Sequence, residues 1–268
     1  MNYFNKNVRL FLNSIWANGG INPNDTLLLH SDLKSIFRFA FKNKLSISPD
    51  DILDSIINYL GPNGNLILPL FNFDFSKGAP FNILTTKSQM GILSEIGRIH
   101  PEIVRTGHPI YSFGVIGKLS SDFVGLENYS GYGKDSPFGI LHKLEGRIGI
   151  LNLPDQHSMT FYHYIEEFCN IHYRYHKTFT GKYTDCNGSE STKTFGLFVR
   201  DLSLGIKTDV NRMGELLWAM ELYKGFRYGD ALGIRSVLAK DIFRETEKII
   251  KEGRAEDFLF KIEKASKL

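Results

Sequence analysis

The chain has 268 residues, 42% of them hydrophobic and 23% charged, which suits one domain spanning residues 1–268 and excludes a disordered or fibrous protein. Its 32 basic against 29 acidic residues give +3, too slight an excess to announce a nucleic-acid binder. The apolar runs at 26–29 and 66–71 fall short of a membrane span, no secretory core precedes Arg9, and Cys169 and Cys186 make no disulfide scaffold. A cytoplasmic protein without membrane insertion is expected.

Taken in chain order, Phe4, Val8, Phe11, Leu12 and Ile15 follow helical spacing and predict an opening amphipathic helix, whose apolar face offers a surface for a homodimer. Residues 25–29 read as a short buried strand. Ser48-Pro49-Asp50-Asp51 reads as a helix start: a capping hydroxyl, proline in the first turn, then acids at the positive end of the dipole. Ile52, Leu53, Ile56, Ile57 and Leu60 form its apolar face, Gly61-Pro62 stops it, and 65–69 is the next strand. Helices are expected at 90–99 and 137–144, strands at 110–116 and 147–153, and helical spacing runs on from 160 to 173. Strands alternating with helices predict a layered α/β architecture. A β-rich excursion is expected at about 178–208, with a hairpin turn at Asn187-Gly188. Helices are expected again at 212–224 and 238–264, the last as a Lys- and Glu-rich surface helix.

The common nucleotide loops and the G-x-S-x-G elbow are absent. Four segments carry chemistry. Leu29-His30-Ser31-Asp32-Leu33-Lys34-Ser35 follows a strand and offers donors to a phosphate, or is a plain strand-to-helix connection. Arg105-Thr106-Gly107-His108-Pro109-Ile110-Tyr111-Ser112 puts a histidine in a turn ahead of a strand, where it serves either a site or the turn itself. In 132–139 a glycine-rich turn feeds the helix begun by Ser136-Pro137, as a ligand-facing end or as a cap. In the fourth segment His163 and Glu166 stand three apart on a helix, so a carboxylate can fix the imidazole tautomer and raise its basicity; Glu166 as an exposed salt-bridge partner is the other reading. Cys169, His172 and His176 have metal-like spacing but no fourth ligand, so no metal site is expected, although a metal-dependent hydrolase stays as a rival.

In this order the stretches LLLHSDLKSI, QMGILSEIGR, RTGHPIYSFGVIG, YGKDSPFGILHKLEGRIGILNL and MTFYHYIEE resemble the aminoglycoside 3-N-acetyltransferase family, over about residues 25–241. The resemblance implies an α/β/α sandwich with a central mixed sheet and acetyl-CoA as acyl donor. It implies that the donor lies across His30, Ser31, Leu33, Lys34 and Ser35, with Ser112 and Thr160 nearby. It also implies that His163 of the Thr160–His163–Glu166 pattern is the catalytic residue, and that His108 lines the site. Two departures stand out: Asp32 where relatives carry Ser or Thr, and Asn152 where Gly is frequent.

An amine is mostly ammonium at pH 7, so His163, oriented by Glu166, is expected to remove its proton before attack on the thioester. Tyr173, Arg174 and Lys177 offer aromatic faces and cations to the acceptor. Together with the net charge they point to an amino sugar carried on a nucleotide or other phosphate, as in surface-polysaccharide synthesis. The alternative acceptor is an aminoglycoside, with antibiotic resistance as the outcome.

Overall fold

Two apolar cores flank one sheet, and the two-residue side-chain period of its strands fills both. The computed structural model describes residues 6–263; Phe4, and residue 264 of the expected last helix, lie outside the described residues. The chain runs α1 (Lys6–Asn18), β1 (Thr26–Ser31), α2 (Lys34–Lys42), α3 (Pro49–Leu60), β2 (Asn65–Pro69), β3 (Phe81–Asn82), α4 (Ile92–Arg98), β4 (Val104–Arg105), β5 (Phe113–Gly117), α5 (Pro137–Lys143) and β6 (Arg147–Leu151). It continues through α6 (Phe161–Phe168), the hairpin β7 (Arg174–Thr184) and β8 (Glu190–Arg200), β9 (Ile206–Thr208), α7 (Asn211–Ala219), β10 (Lys224–Gly225), β11 (Ile234–Leu238), α8 (Ala239–Lys251), α9 (Ala255–Phe258) and β12 (Phe260–Ile262).

The main sheet has the order β10-β11-β6-β1-β2-β5-β4. It is mixed: β1 is parallel to both of its neighbours, β6 and β2, and every other pair is antiparallel. Leu27, Leu29, Leu66 and Leu68 point to one face, against Trp16, Ile52 and Ile56 of α1 and α3. Leu28, Ile67, Ile148 and Ile150 point to the other, against Phe138, Phe161, Ile165 and Ile242 of α5, α6 and α8. The result is the expected α/β/α sandwich. The start of α3 is set by a reciprocal capping box: Ser48 Oγ accepts from Asp51 N at 3.1 Å and Asp51 Oδ2 accepts from Ser48 N at 2.7 Å.

Several boundaries differ from the sequence expectation, each for a local reason. The face of α1 offered as a dimer surface is used inside the chain: Val8, Leu12, Ile15 and Trp16 are buried, and Trp16 Nε1 donates to Ser55 Oγ at 2.9 Å. Helix α6 stops at Phe168 because Asn170 turns left-handed at φ 48°. The strand β7 therefore begins at Arg174, and Cys169, His172 and His176 share no helix. No group of three His, Cys, Asp or Glu residues placed to hold a metal occurs among the described residues. Residues 110–112 form a loop, and β5 starts at Phe113. The long C-terminal helix is broken after Lys251, with Gly253 at φ 72°, and its end folds back as β12 beside β9. Helix α8 is amphipathic, burying Ile242, Thr246 and Ile249. No helix among the described residues is long and apolar enough to cross a membrane.

Candidate active site

The parallel strands β1, β2 and β6 end at Ser31, Pro69 and Leu151, all on one edge of the sheet. Crevices at such carboxyl ends are where open α/β sheets hold ligands. A cavity of about 430 Å³ opens there, lined by His30, Ser31, Asp32, Leu33 and Lys34 together with Pro69, Gln89, Gly91 and His157. The sequence singled out four of the first five for donor binding and missed Gln89, Gly91 and His157, which come from distant loops. Asp32, the odd neighbour for a phosphate, is accounted for: its Oδ1 accepts from Lys34 N at 2.8 Å and its Oδ2 lies 3.5 Å from Lys34 Nζ. It caps its own turn.

Three other residues assigned to the donor stand away from this cavity. Ser35 Oγ donates to Leu232 O at 3.2 Å, tying α2 to the loop before β11. Ser112 is fully buried; its Oγ donates to Leu70 O at 3.0 Å and accepts from Arg105 Nε and Nη2 at 3.1 Å each. Thr160 precedes α6, and its buried Oγ1 has no hydrogen-bond partner among the described residues. Ser35 and Ser112 are structural ties, a role their sequence neighbourhood does not distinguish from ligand contact.

A second cavity, of about 580 Å³, lies under the β7–β8 hairpin, with His163 in its wall. The two cavities adjoin: Phe73, in the wall of the second, donates its N–H to Gln89 Oε1 of the first at 3.2 Å. One turn of α6 brings His163 Nδ1 to 2.8 Å from Glu166 Oε2. Glu166 is buried, and its other oxygen accepts from Tyr173 Oη at 2.8 Å. Arg174 Nε lies 2.8 Å from Glu166 Oε2, and Arg174 Nη1 donates to Phe198 O at 3.0 Å. Tyr173 and Arg174, expected to hold the acceptor, are thus both buried and directed at Glu166; Arg174 also lines the second cavity, and Tyr173 does not. Burial makes a carboxylate demand partners, and these two supply them. Lys177 is exposed on the cavity wall.

Arg174 Nη2 also lies 2.8 Å from His163 Nδ1, so a cation and a carboxylate compete for one ring nitrogen. The guanidinium can only donate, and a bare Nδ1 lone pair would face the carboxylate unfavourably. The charge-assisted bond from Nδ1–H to Glu166 is the stronger arrangement. It leaves the Nε2 lone pair free. The His163 side chain is 17% exposed, enough for one ring edge to reach the cavity. Burial, and then Arg174, hold the imidazole below its ordinary 6.5, and Glu166 opposes without prevailing. The carboxylate does raise its basicity, as expected, but burial and Arg174 outweigh that contribution and leave the net shift downward. Burial pushes Glu166 up, but Arg174, His163 and Tyr173 together outweigh it and hold the carboxyl below 4.5. At neutral pH the pair is a neutral imidazole on an ionised carboxylate.

His108 does not line either cavity. It is fully buried; Nδ1 accepts from Ile110 N at 3.3 Å and Tyr111 N at 3.0 Å, and Nε2 donates to Gly196 O at 3.2 Å. The histidine shapes the turn that sends Ile110 and Tyr111 into the second cavity. Tyr132, whose ring centroid is 5.2 Å from that of His163, lines it too. Its segment was marked by glycines and not by the tyrosine. Arg200 was also missed: it lies opposite Arg174 because five residues, 185–189, join the paired strands, whereas counting from a two-residue Asn187-Gly188 turn pairs Arg174 with Asp201.

Burial lowers His30 and His108 to about 4. Between pH 6.5 and 4 the unfolded chain takes up protons that these folded imidazoles refuse, so stability falls as pH drops through that window. Each costs about 3 kcal/mol by pH 4. Urea unfolding midpoints should decline steeply from pH 7 to 4.5; a flat profile would contradict the buried, neutral histidines.

Residues 28–251 match the family model described as aminoglycoside 3-N-acetyltransferase. A curated relative, the SPbeta prophage-derived aminoglycoside N(3')-acetyltransferase-like protein YokD of Bacillus subtilis (strain 168), is 26% identical over a 170-residue alignment that covers 55% of this chain. The match spans 60% of that relative's length. The fold is similar to the crystal structure of aminoglycoside acetyltransferase AAC(3)-Xa, with TM-score 0.76 and 22% identity over 91% of this chain and 92% of that one. It is similar also to AAC-IIIb in binary complex with CoASH, with TM-score 0.74 and 19% identity over 91% of this chain and 96% of that one. The model match covers both cavities and the His163–Glu166 pair. On it the chain belongs to the aminoglycoside 3-N-acetyltransferase family.

Proposed function

We propose that the protein is an acetyl-CoA-dependent N-acetyltransferase that acylates the amine of an amino sugar by direct transfer, with His163 as general base. The observation that carries this is the His163 imidazole, held through Nδ1 at 2.8 Å from Glu166 in the wall of a cavity that adjoins the strand-end cleft. The donor set of that cleft, with Lys34, Gln89, His157 and Ser31, fits a long phosphorylated thioester carrier. When bound, acetyl-CoA supplies an activated acyl group, whose C–S bond breaks as the C–N bond forms.

The chain's own residues handle the proton. His163 Nε2 takes one proton from the acceptor ammonium, making the nitrogen nucleophilic, and holds it until solvent accepts it; the second N–H proton, shed as the C–N bond forms, passes by the same nitrogen to the departing thiolate. Glu166 keeps the imidazole in the Nδ1–H form and stabilises the imidazolium during that interval. Tyr111 and Tyr132 present aromatic faces to a sugar in the acceptor cavity.

Two of the three relatives described above carry aminoglycoside in their names, and none mentions a polysaccharide precursor. An aminoglycoside is therefore the acceptor with comparative support. A phosphate-linked amino sugar rests on the charge of the cavity wall. The test is thiol release from acetyl-CoA against a panel of aminoglycosides and nucleotide-linked amino sugars. Release above the hydrolysis rate with at least one amine is expected; none with any amine would sink the reading.

A further inference from the structure

Arg174 and Arg200 stand directly opposite each other at the root of the β7–β8 hairpin. Like charges so placed repel unless something offsets them. Glu166 offsets Arg174. Arg200 is half-buried, lines the cavity that holds His163, and has no ion pair or side-chain hydrogen bond among the described residues. Lys177, on the same wall, has among the described residues only the Phe179 ring beneath it, at 5.5 Å. Asp201 is the single carboxylate among the lining residues beside these cations. It is engaged locally, with Oδ1 accepting from Ser203 N at 2.9 Å and Ser203 Oγ at 2.6 Å.

A polycation entering this cavity meets Arg174, Lys177 and Arg200 against the single carboxylate of Asp201, a lining that is net positive. An anion meets a guanidinium whose planar fork matches phosphate or carboxylate geometry. We propose that Arg200, aided by Lys177, binds an anionic group carried by the acceptor, so that the acceptor is an acidic amino sugar and not a polycationic one. This rests on the N-acetyltransferase reading above and deepens it. Phosphate and carboxylate share the recognising chemistry.

The test compares kcat/KM for four amines: glucosamine 1-phosphate, an aminated uronic acid, neutral glucosamine and kanamycin. It uses the wild-type chain, Arg200→Gln and Arg200→Lys. The wild type should favour an anionic amine over glucosamine on the order of tenfold to a hundredfold, and the preference should shrink with added salt. The phosphate and uronate arms show which anion is meant. Arg200→Gln should bring the anionic-to-neutral ratio close to one, and Arg200→Lys should restore part of it. Kanamycin preferred by the wild type would overturn the inference and leave the transferase reading standing. So would a raised KM for acetyl-CoA in Arg200→Gln with the acceptor ratio unmoved, which would give Arg200 to the donor phosphates. If no amine releases thiol, the transferase reading fails separately. Calorimetric binding of glucosamine 1-phosphate against glucosamine still decides the anion site, and equal affinities in wild type and Arg200→Gln would overturn it.

Discussion

His163→Ala should lower kcat by roughly a hundredfold to ten-thousandfold, the usual contribution of a positioned general base. Acetyl-CoA affinity, read by calorimetry, should stay near the wild-type value, because the strand-end cavity that suits the donor does not include His163. The pH dependence supplies an independent signature. A base works only when unprotonated, so activity appears above its pKa, and burial together with Arg174 sets that pKa below 6.5. The acid limb of kcat/KM should therefore lie below 6.5 in the wild type and be missing from any residual activity of the variant. A variant that keeps most of its turnover, or an acid limb well above 6.5, would take the role away from His163.

Glu166→Ala should be the most damaging single change to stability. It leaves Arg174 buried without its counter-ion, strips Tyr173 Oη of its acceptor and frees His163 to turn. Breaking a buried pair from one side costs about 3–5 kcal/mol, readable as a lowered denaturant midpoint at unchanged slope. Glu166→Gln separates the two roles. The amide preserves the shape and can still accept from Tyr173, so the fold should survive better. The carboxylate that favours the Nδ1–H tautomer is gone, and kcat should fall while acetyl-CoA affinity holds. A Glu166→Ala protein as stable as wild type would mean that Arg174 finds another partner.

Much of the fold was legible because its signals are local. The capping box at Ser48 and Asp51, the apolar face of α3 and the buried runs of β1 and β2 each depend on neighbours within a few residues. So does the pairing of His163 with Glu166, which needs only helical spacing. Burial is not local. Tyr173 and Arg174 look like a ligand-facing pair, yet which face of β7 meets α6 is decided by how the hairpin folds over the sheet. His108 and Ser112 share this difficulty: a turn histidine and a buried serine read the same as site residues until Gly196 O, Leu70 O and Arg105 arrive from distant segments. The depressed pKa of His163 was hidden for the same reason, since the second of its causes is Arg174, placed there by a strand that the sequence read as starting later.

The strand β7 has two employments. At its root Arg174 grips Glu166 from the edge of the acceptor wall and so steadies the base, while Tyr175, Lys177 and Phe179 recur at every second position farther along that wall. Pleating separates the wall positions from the alternate residues between them. Variation at 175, 177 and 179 can therefore reshape what the cavity accepts without disturbing the imidazole. A hairpin built this way lets descendants of one sequence change substrate while inheriting the same proton chemistry.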